Sequence, residues 1–247
     1  MTVYAVASPK GGSTKTTTAA ELTAALARRG RRVLAIDVDQ QGNLTTRLGI
    51  TRAHPVAAVA ADVLSGEATA TEAAIPSPSV PGAYVVAGTH DLAAVEHRPE
   101  VITALRDHLP EISAEWDDVV IDTPPALGVV TLAALAAADV VVASVACETE
   151  AFDQLDRLVA VVEKRITRMR PGQQVDWIVP TRYDGRRLLD RDVVAELTRR
   201  HPGKVTTPVR EAVAARDAYT AGQPVSVYAP HSGIAADYAA ALATILA

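Results

Sequence analysis

The stretch Ser8-Pro9-Lys10-Gly11-Gly12-Ser13-Thr14-Lys15-Thr16-Thr17 decides how the rest of the chain is read. It follows Val3-Tyr4-Ala5-Val6-Ala7, an unbroken apolar run of the kind a buried strand needs, and it precedes a helical pattern from Thr17 to Arg29 that Gly30 closes. A glycine-rich turn between a strand and a helix is where a phosphate is cradled, because the loop N–H groups and the helix N-terminus both point at the anion. In that setting Lys15 can reach the β and γ phosphates of a nucleotide and the Thr16 hydroxyl can ligate Mg²⁺. Gly11, Gly12, Ser13, Thr14 and Thr17 complete the cradle.

Outward from this loop, apolar runs and helical periodicity alternate to the end of the chain. Further strands are expected over Arg32 to Ile36, Tyr84 to Val86, Val119 to Ile121, Val140 to Val142 and Trp177 to Val179. Helices are expected over Ala151 to Arg168, Leu188 to Arg199 and Gly233 to Leu246. Such alternation predicts an α/β fold made of right-handed βαβ units, with a mostly parallel twisted sheet and helices on both faces. Apolar residues make up 49% of the chain and aromatics only 4%, so the core must be built from small and branched aliphatics. A length of 247 residues fits one domain spanning 1–247, and Ser65 to Gly82, rich in Ala, Thr, Pro and Ser, reads as a surface connection within it.

Other classes lose support. No window approaches a membrane span, and Met1-Thr2-Val3-Tyr4 enters a strand with no leader-like pattern. The single cysteine, Cys147, lies in an apolar run and reads as a core residue, which suits a reducing cytoplasm. A net charge of -5 argues against a protein coated in positive charge, although a local basic patch can still bind DNA.

Carboxylates gather where a phosphate-bound metal needs them. Asp37 and Asp39 follow the second strand, and alternation along a strand end predicts both on one side, facing the Mg²⁺ and the γ phosphate. Asp122 ends the strand Val119-Val120-Ile121, at the C-terminal edge of the sheet, where it can hold a water of the Mg²⁺ shell.

Lys10, the two glycines after it and Lys15-Thr16 resemble the deviant Walker A signature of the ParA/MinD family, of the SIMIBI class of P-loop ATPases. Asp37-Val38-Asp39-Gln40-Gln41-Gly42-Asn43 resembles the family's switch segment with Gln40 in place of the usual Pro, and Asp122-Thr123-Pro124-Pro125 is similar to its Walker B end. The resemblance extends through Pro180 to Arg186, Pro208 to Glu211 and Gly222 to Val225, so it covers nearly the whole chain. It implies a single P-loop NTPase domain that binds and hydrolyses ATP with Mg²⁺, weakly on its own. Lys10 is then expected to reach nucleotide bound by the other subunit of a dimer, Asp39 to position the attacking water, and Asp37 to support the metal shell beside Thr16 and Asp122. Thr181, Arg182, Pro208 and Val209 are implied as the adenine site. Thr14 departs from the family, which has glycine before the P-loop lysine.

Within the family, one cysteine offers no convincing cluster site, and the last predicted helix carries no Lys or Arg with which to bind a membrane surface. ParA proteins remain, which partition plasmids or chromosomes. The implied partners are a second copy of the chain with ATP, non-specific DNA and a ParB-like centromere-binding protein, with no membrane. Arg186, Arg187 and Arg216 are the DNA candidates, extended by Arg182, Arg199 and Arg200. No helix-turn-helix is expected before the P-loop, and the implied location is cytoplasmic and nucleoid-associated. The competing reading is a MinD-like or orphan ParA-like ATPase that positions protein cargo at membrane or nucleoid.

Overall fold

The computed structural model describes residues 1–12 and 14–247; Ser13, assigned above to the phosphate cradle, lies outside the described residues. Its sheet consists of β1 (Thr2–Ala7), β2 (Val33–Asp37), β3 (Ala74–Pro76), β4 (Ala83–Val86), β5 (Asp118–Asp122), β6 (Val140–Ala146) and β7 (Trp177–Thr181). The order across it is β3-β4-β2-β5-β1-β6-β7. Every neighbouring pair is parallel except β3 with β4.

Period-two alternation divides the strands between two cores. On β1, Val3, Ala5 and Ala7 face one apolar cluster while Tyr4 and Val6 face the other. On β5, Val119 and Ile121 join the first cluster and Val120 the second. The helices Ala104–Glu115, Val129–Ala137 and Ala151–Lys164 cover the first face. Helices α1 (Lys15–Arg28) and α2 (Asn43–Arg47) cover the second, together with the helix Gly233–Ile245. Both faces are therefore sealed, and strands that read as continuous apolar runs are satisfied on both sides.

Strand order reverses around β1: the chain first builds toward β2 and later returns to place β6 on the opposite side. Ligands of open α/β sheets bind at such a switch point, beyond the C-terminal ends of the strands. The loop after β1 opens there, flanked by the ends of β5 and β6.

Two expectations are corrected. The segment read as a surface connection contains a helix, Ala70–Ala73, and the edge strand β3. Thr69 and Glu72 cap that helix reciprocally, with Glu72 N donating to Thr69 Oγ1 at 3.1 Å and Thr69 N donating to Glu72 Oε2 at 2.9 Å. The strand is three residues long and ends in Pro76, too short for a period and tolerable only at an edge. The helix expected over Ala151 to Arg168 stops at Lys164, and Ile166–Arg168 forms a 3₁₀ turn that buries Ile166 in the core. No helix among the described residues is long and apolar enough to cross a membrane.

Candidate nucleotide site

Sheet register assembles the acidic side of the site. Asp122 is the partner of Val6 on β1 and of Asp37 on β2, so the ends of three adjacent strands meet under the loop. Asp122 is fully buried, and neither carboxylate oxygen has a hydrogen-bond partner within the described chain. Burial first, and the charge of Asp37 second, push its pKa well above the usual carboxylate range, against the opposing pull of the Thr16 hydroxyl and the Lys15 ammonium. A buried, unpartnered carboxylate is costly, and it marks a place where a cation or its waters complete the structure.

Asp37 is equally buried but fully engaged. Its Oδ2 accepts from both the backbone N and the hydroxyl of Thr45 at 2.8 Å, and its Oδ1 accepts from Asp39 N at 3.2 Å. Burial nevertheless lifts its pKa to about 6. The Thr45 hydroxyl in turn accepts from Gly88 N at 2.9 Å, and a Cβ on Gly88 would stand 2.8 Å from Asp37 Cγ, so only glycine fits there. Strand alternation does not carry as far as Asp39, because β2 ends at Asp37 and a turn closed by Gly42 N donating to Asp39 O at 3.0 Å follows; both carboxylates nevertheless act electrostatically on Asp122. Asp37 thereby anchors α2, whereas Asp39 lines the chamber above. Asp39 Oδ1 accepts from Gln41 N at 3.0 Å, and Oδ2 accepts no hydrogen bond from the described residues.

The two lysines of the loop part company. Lys15, the first residue of α1, is 6% exposed, and its Nζ donates to Lys10 O at 3.1 Å. Burial draws its pKa down while Asp122 and Asp39 draw it up, so it is a desolvated cation held for an anion. Lys10 Nζ instead reaches the rim, donating to Glu148 at 2.5 Å and Glu150 at 3.1 Å. Arg182 Nη1 donates to the other oxygen of Glu148 at 2.7 Å. Thr14 adopts φ 62°, a left-handed conformation that costs a residue with a Cβ about 1–2 kcal/mol. Thr14 and Arg182, at φ 55°, are the two non-glycine residues with positive φ among the described residues, and both line the same cavity. The strain at Thr14 is held in place by its carbonyl, which accepts from the backbone N of Thr18 at 2.9 Å and from the Thr18 hydroxyl at 3.1 Å.

Two bordering chambers open at this loop. The larger, about 510 Å³, is lined by Gly11, Gly12, Thr14, Lys15, Thr16, Thr17 and Asp39, all anticipated from sequence. Gln41, Asn43, Arg47, Pro125 and Tyr219 also line it and were not anticipated. One signal for Arg47 was available: Asn43 and Arg47 are one helical turn apart, which places both on one face once α2 is recognised. The smaller chamber, about 270 Å³, brings Thr181, Arg182 and Val209 to Gly12, Thr14 and Thr17, while Pro208 opens onto a neighbouring cleft of about 690 Å³. That cleft contains Arg186, Arg187 and Arg216, the DNA candidates, at one edge of the molecule.

The residues present fit Mg²⁺. Among the described residues no three His, Cys, Asp or Glu side chains converge as a cage. The Thr16 hydroxyl and the open Asp122 carboxylate are the groups that would hold the ion, which would supply positive charge to substrate phosphates.

A strand-loop-helix cradle with an inward lysine, a following hydroxyl and a buried carboxylate on the adjacent strand defines a P-loop nucleotide-hydrolysing site. The family model described as an AAA domain matches residues 1–175. The chromosome partitioning protein ParA of Caulobacter vibrioides is 37% identical over 233 residues, covering 92% of this chain and 86% of its own. The chain belongs to the ParA family of P-loop ATPases, and it is an ATP hydrolase. A solved structure named as cobyrinic acid a,c-diamide synthase from Mycobacterium smegmatis, with bound ADP and magnesium, is 32% identical with a TM-score of 0.77 and covers 92% of this chain and 91% of its own. Apo McdA from Cyanthece shares the fold at a TM-score of 0.88 and 21% identity, with 99% of both chains covered.

Proposed function

We propose that the chain is a partition ATPase that works as a nucleotide switch: ATP drives a sandwich homodimer, the dimer binds DNA without sequence preference, and hydrolysis stimulated by a ParB-like partner releases it. The observation that carries this reading is the divergence of the two loop lysines. Lys15 turns into the chamber of its own chain, while Lys10 turns out to the rim, 35% exposed, where it can meet nucleotide held by a second copy.

Within one chain, Lys15 and the loop N–H groups hold the β and γ phosphates, and the Thr16 hydroxyl and Asp122 hold Mg²⁺, which supplies charge neutralisation at the phosphates. Asp39 uses its open Oδ2 to orient the water that attacks the γ phosphorus, with ADP as the leaving group. Asp37 keeps α2 and Asp39 in place through Thr45. Thr181, Arg182 and Val209 receive the adenine, with Pro208 at the border of that site. Arg186, Arg187 and Arg216 present the DNA surface.

DNA is favoured over a membrane by the packing of the helix Gly233–Ile245, whose Ile234, Tyr238, Leu242 and Ile245 are buried against α1, and which carries no Lys or Arg. The cytoplasm and nucleoid are the corresponding location. Light scattering tests the lysine assignment: Lys10→Ala is expected to bind ATP within a few-fold of the parent and to stay monomeric. An ATP-dependent dimer of that variant refutes the trans role.

A further inference from the structure

Arg47 is a cation without an anion. It closes α2, and its guanidinium carbon lies 4.9 Å over the ring of Tyr219, which is itself fixed by its hydroxyl donating to Asn43 Oδ1 at 2.9 Å. Its one hydrogen bond, from Nη1 to Ala215 O, is long at 3.4 Å, and no carboxylate of the described residues forms an ion pair with it. Burial pulls its pKa below the usual arginine value, the direction expected of a partly desolvated guanidinium. A guanidinium carries five N–H donors, and within the described chain only one is used, so the others are available to a ligand that reaches them.

Its position says which ligand. The phosphate chamber and the smaller chamber have four residues in common: Gly12, Thr14, Thr17 and Arg47. Three belong to the loop and the start of α1; the fourth, Arg47, ends α2, and together they mark where the two chambers border each other. A nucleotide with its terminal phosphates at Lys15, Thr16 and Asp39, and its base at Thr181 and Val209, crosses this border at the phosphate nearest the sugar.

We propose that Arg47 is a nucleotide ligand in cis, its guanidinium taking the α-phosphate at the border between the two chambers. This rests on the reading of the chambers as the ATP site. The stack on Tyr219 pre-orients the guanidinium, so binding forms charge-assisted hydrogen bonds at little cost in side-chain freedom. Because ATP and ADP share the α-phosphate, Arg47 serves affinity for both and does not tell them apart. Attack at the γ phosphorus proceeds without it.

The test is calorimetry of ADP and of a non-hydrolysable ATP analogue, with steady-state hydrolysis, on the parent, Arg47→Met and Arg47→Lys. Methionine keeps the stem packing and removes the charge. Arg47→Met is expected to weaken both nucleotides by the same factor, about tenfold or more, to raise KM, and to leave kcat within about threefold; Arg47→Lys recovers part of the affinity. Thermal unfolding without nucleotide is expected to show Arg47→Met at least as stable as the parent, since a desolvated charge is removed. Unchanged nucleotide affinity in Arg47→Met, with or without lower stability, makes Arg47 a brace between α2 and Tyr219 and overturns the proposal. Loss of ATP but not ADP affinity, together with a fall in kcat, moves the guanidinium to the γ phosphate and overturns it as well. If the parent itself binds neither nucleotide, the reading of the chambers is what fails.

Discussion

The chamber under the P-loop and the arginine cleft at the molecular edge both concentrate charge, yet they treat it in opposite ways. At the chamber Lys15 is buried and Arg47 half-buried, Asp122 is fully buried beside Lys15, and Asp122 and Arg47 have no ion-pair partner within the described chain. In the cleft the charges are exposed and locally balanced: Arg186, 91% exposed, pairs with Asp184 at 2.8 Å, Arg187 reaches the same carboxylate at 3.7 Å, and Arg216 reaches Glu211 at 3.9 Å. The two arginines hold the Asp184 carboxyl far below the usual carboxylate range. Buried unbalanced charge is expensive and calls for a ligand of fixed shape, here a nucleotide with its metal. Exposed pairs contribute little and are screened by salt, so a polyanion can displace their carboxylates without needing a fixed shape. One region is enclosed and short of counter-charge, the other exposed and locally balanced.

The largest expected effect lies in the chamber. Asp39→Ala is expected to lower turnover on the order of 10²-fold or more, the scale of a positioned acid-base group, while ATP affinity stays within a few-fold because Lys15 and the loop still hold the phosphates. Phosphate release and calorimetry on one preparation check this. Normal turnover would remove Asp39 from the water-positioning role, and loss of ATP binding would make it part of the phosphate or metal cradle.

In the cleft the effect is smaller and graded. Replacing Arg186, Arg187 and Arg216 together by Ala is expected to weaken ATP-dependent DNA binding and to flatten its dependence on salt, by about 0.9 in the log-log slope for each lost phosphate contact. Fluorescence anisotropy across salt concentrations reads this. An unchanged slope would show that the local ion pairs are all these arginines do.

The smallest effect probes a buried charge remote from the phosphates. Glu21 on α1 is fully buried, its carboxylate accepting from Ser226 N at 3.2 and 3.3 Å, and burial raises its pKa. A raised folded pKa means that the proton binds the native state more tightly. The associated stability is present below the unfolded value of about 4.5 and is lost as pH rises through the folded value. Glu21→Gln is therefore expected to be more stable than the parent at pH 7 and to lose that advantage toward pH 4, by urea unfolding at both pH values. An advantage independent of pH would assign the effect to packing.

What could be read from the sequence follows the same division. The P-loop, Asp122 and the strands around them were legible because each is a local pattern: a glycine-rich turn between a strand and a helix, and apolar runs ending in a carboxylate. The pairing of Lys10 with Glu148 and Glu150 was not, since it joins residues about 140 positions apart through the order of β1 and β6. Arg47 was hidden for a related reason: its role depends on a five-residue helix and on Tyr219, brought to it from the far end of the chain. The commitment of Asp37 to Thr45 required knowing that β2 ends there, and strand ends are where periodicity gives the least guidance. β3 was too short for any period to register.

The measurement that bears most directly on the switch is DNA binding by the unmodified chain with ATP and Mg²⁺, with ADP and Mg²⁺, and without nucleotide, each at several salt concentrations. Retention on DNA of arbitrary sequence is expected with ATP, weakening steeply as salt rises, and little retention in the other two states. Equal binding in all three states, or none in any, would contradict the switch.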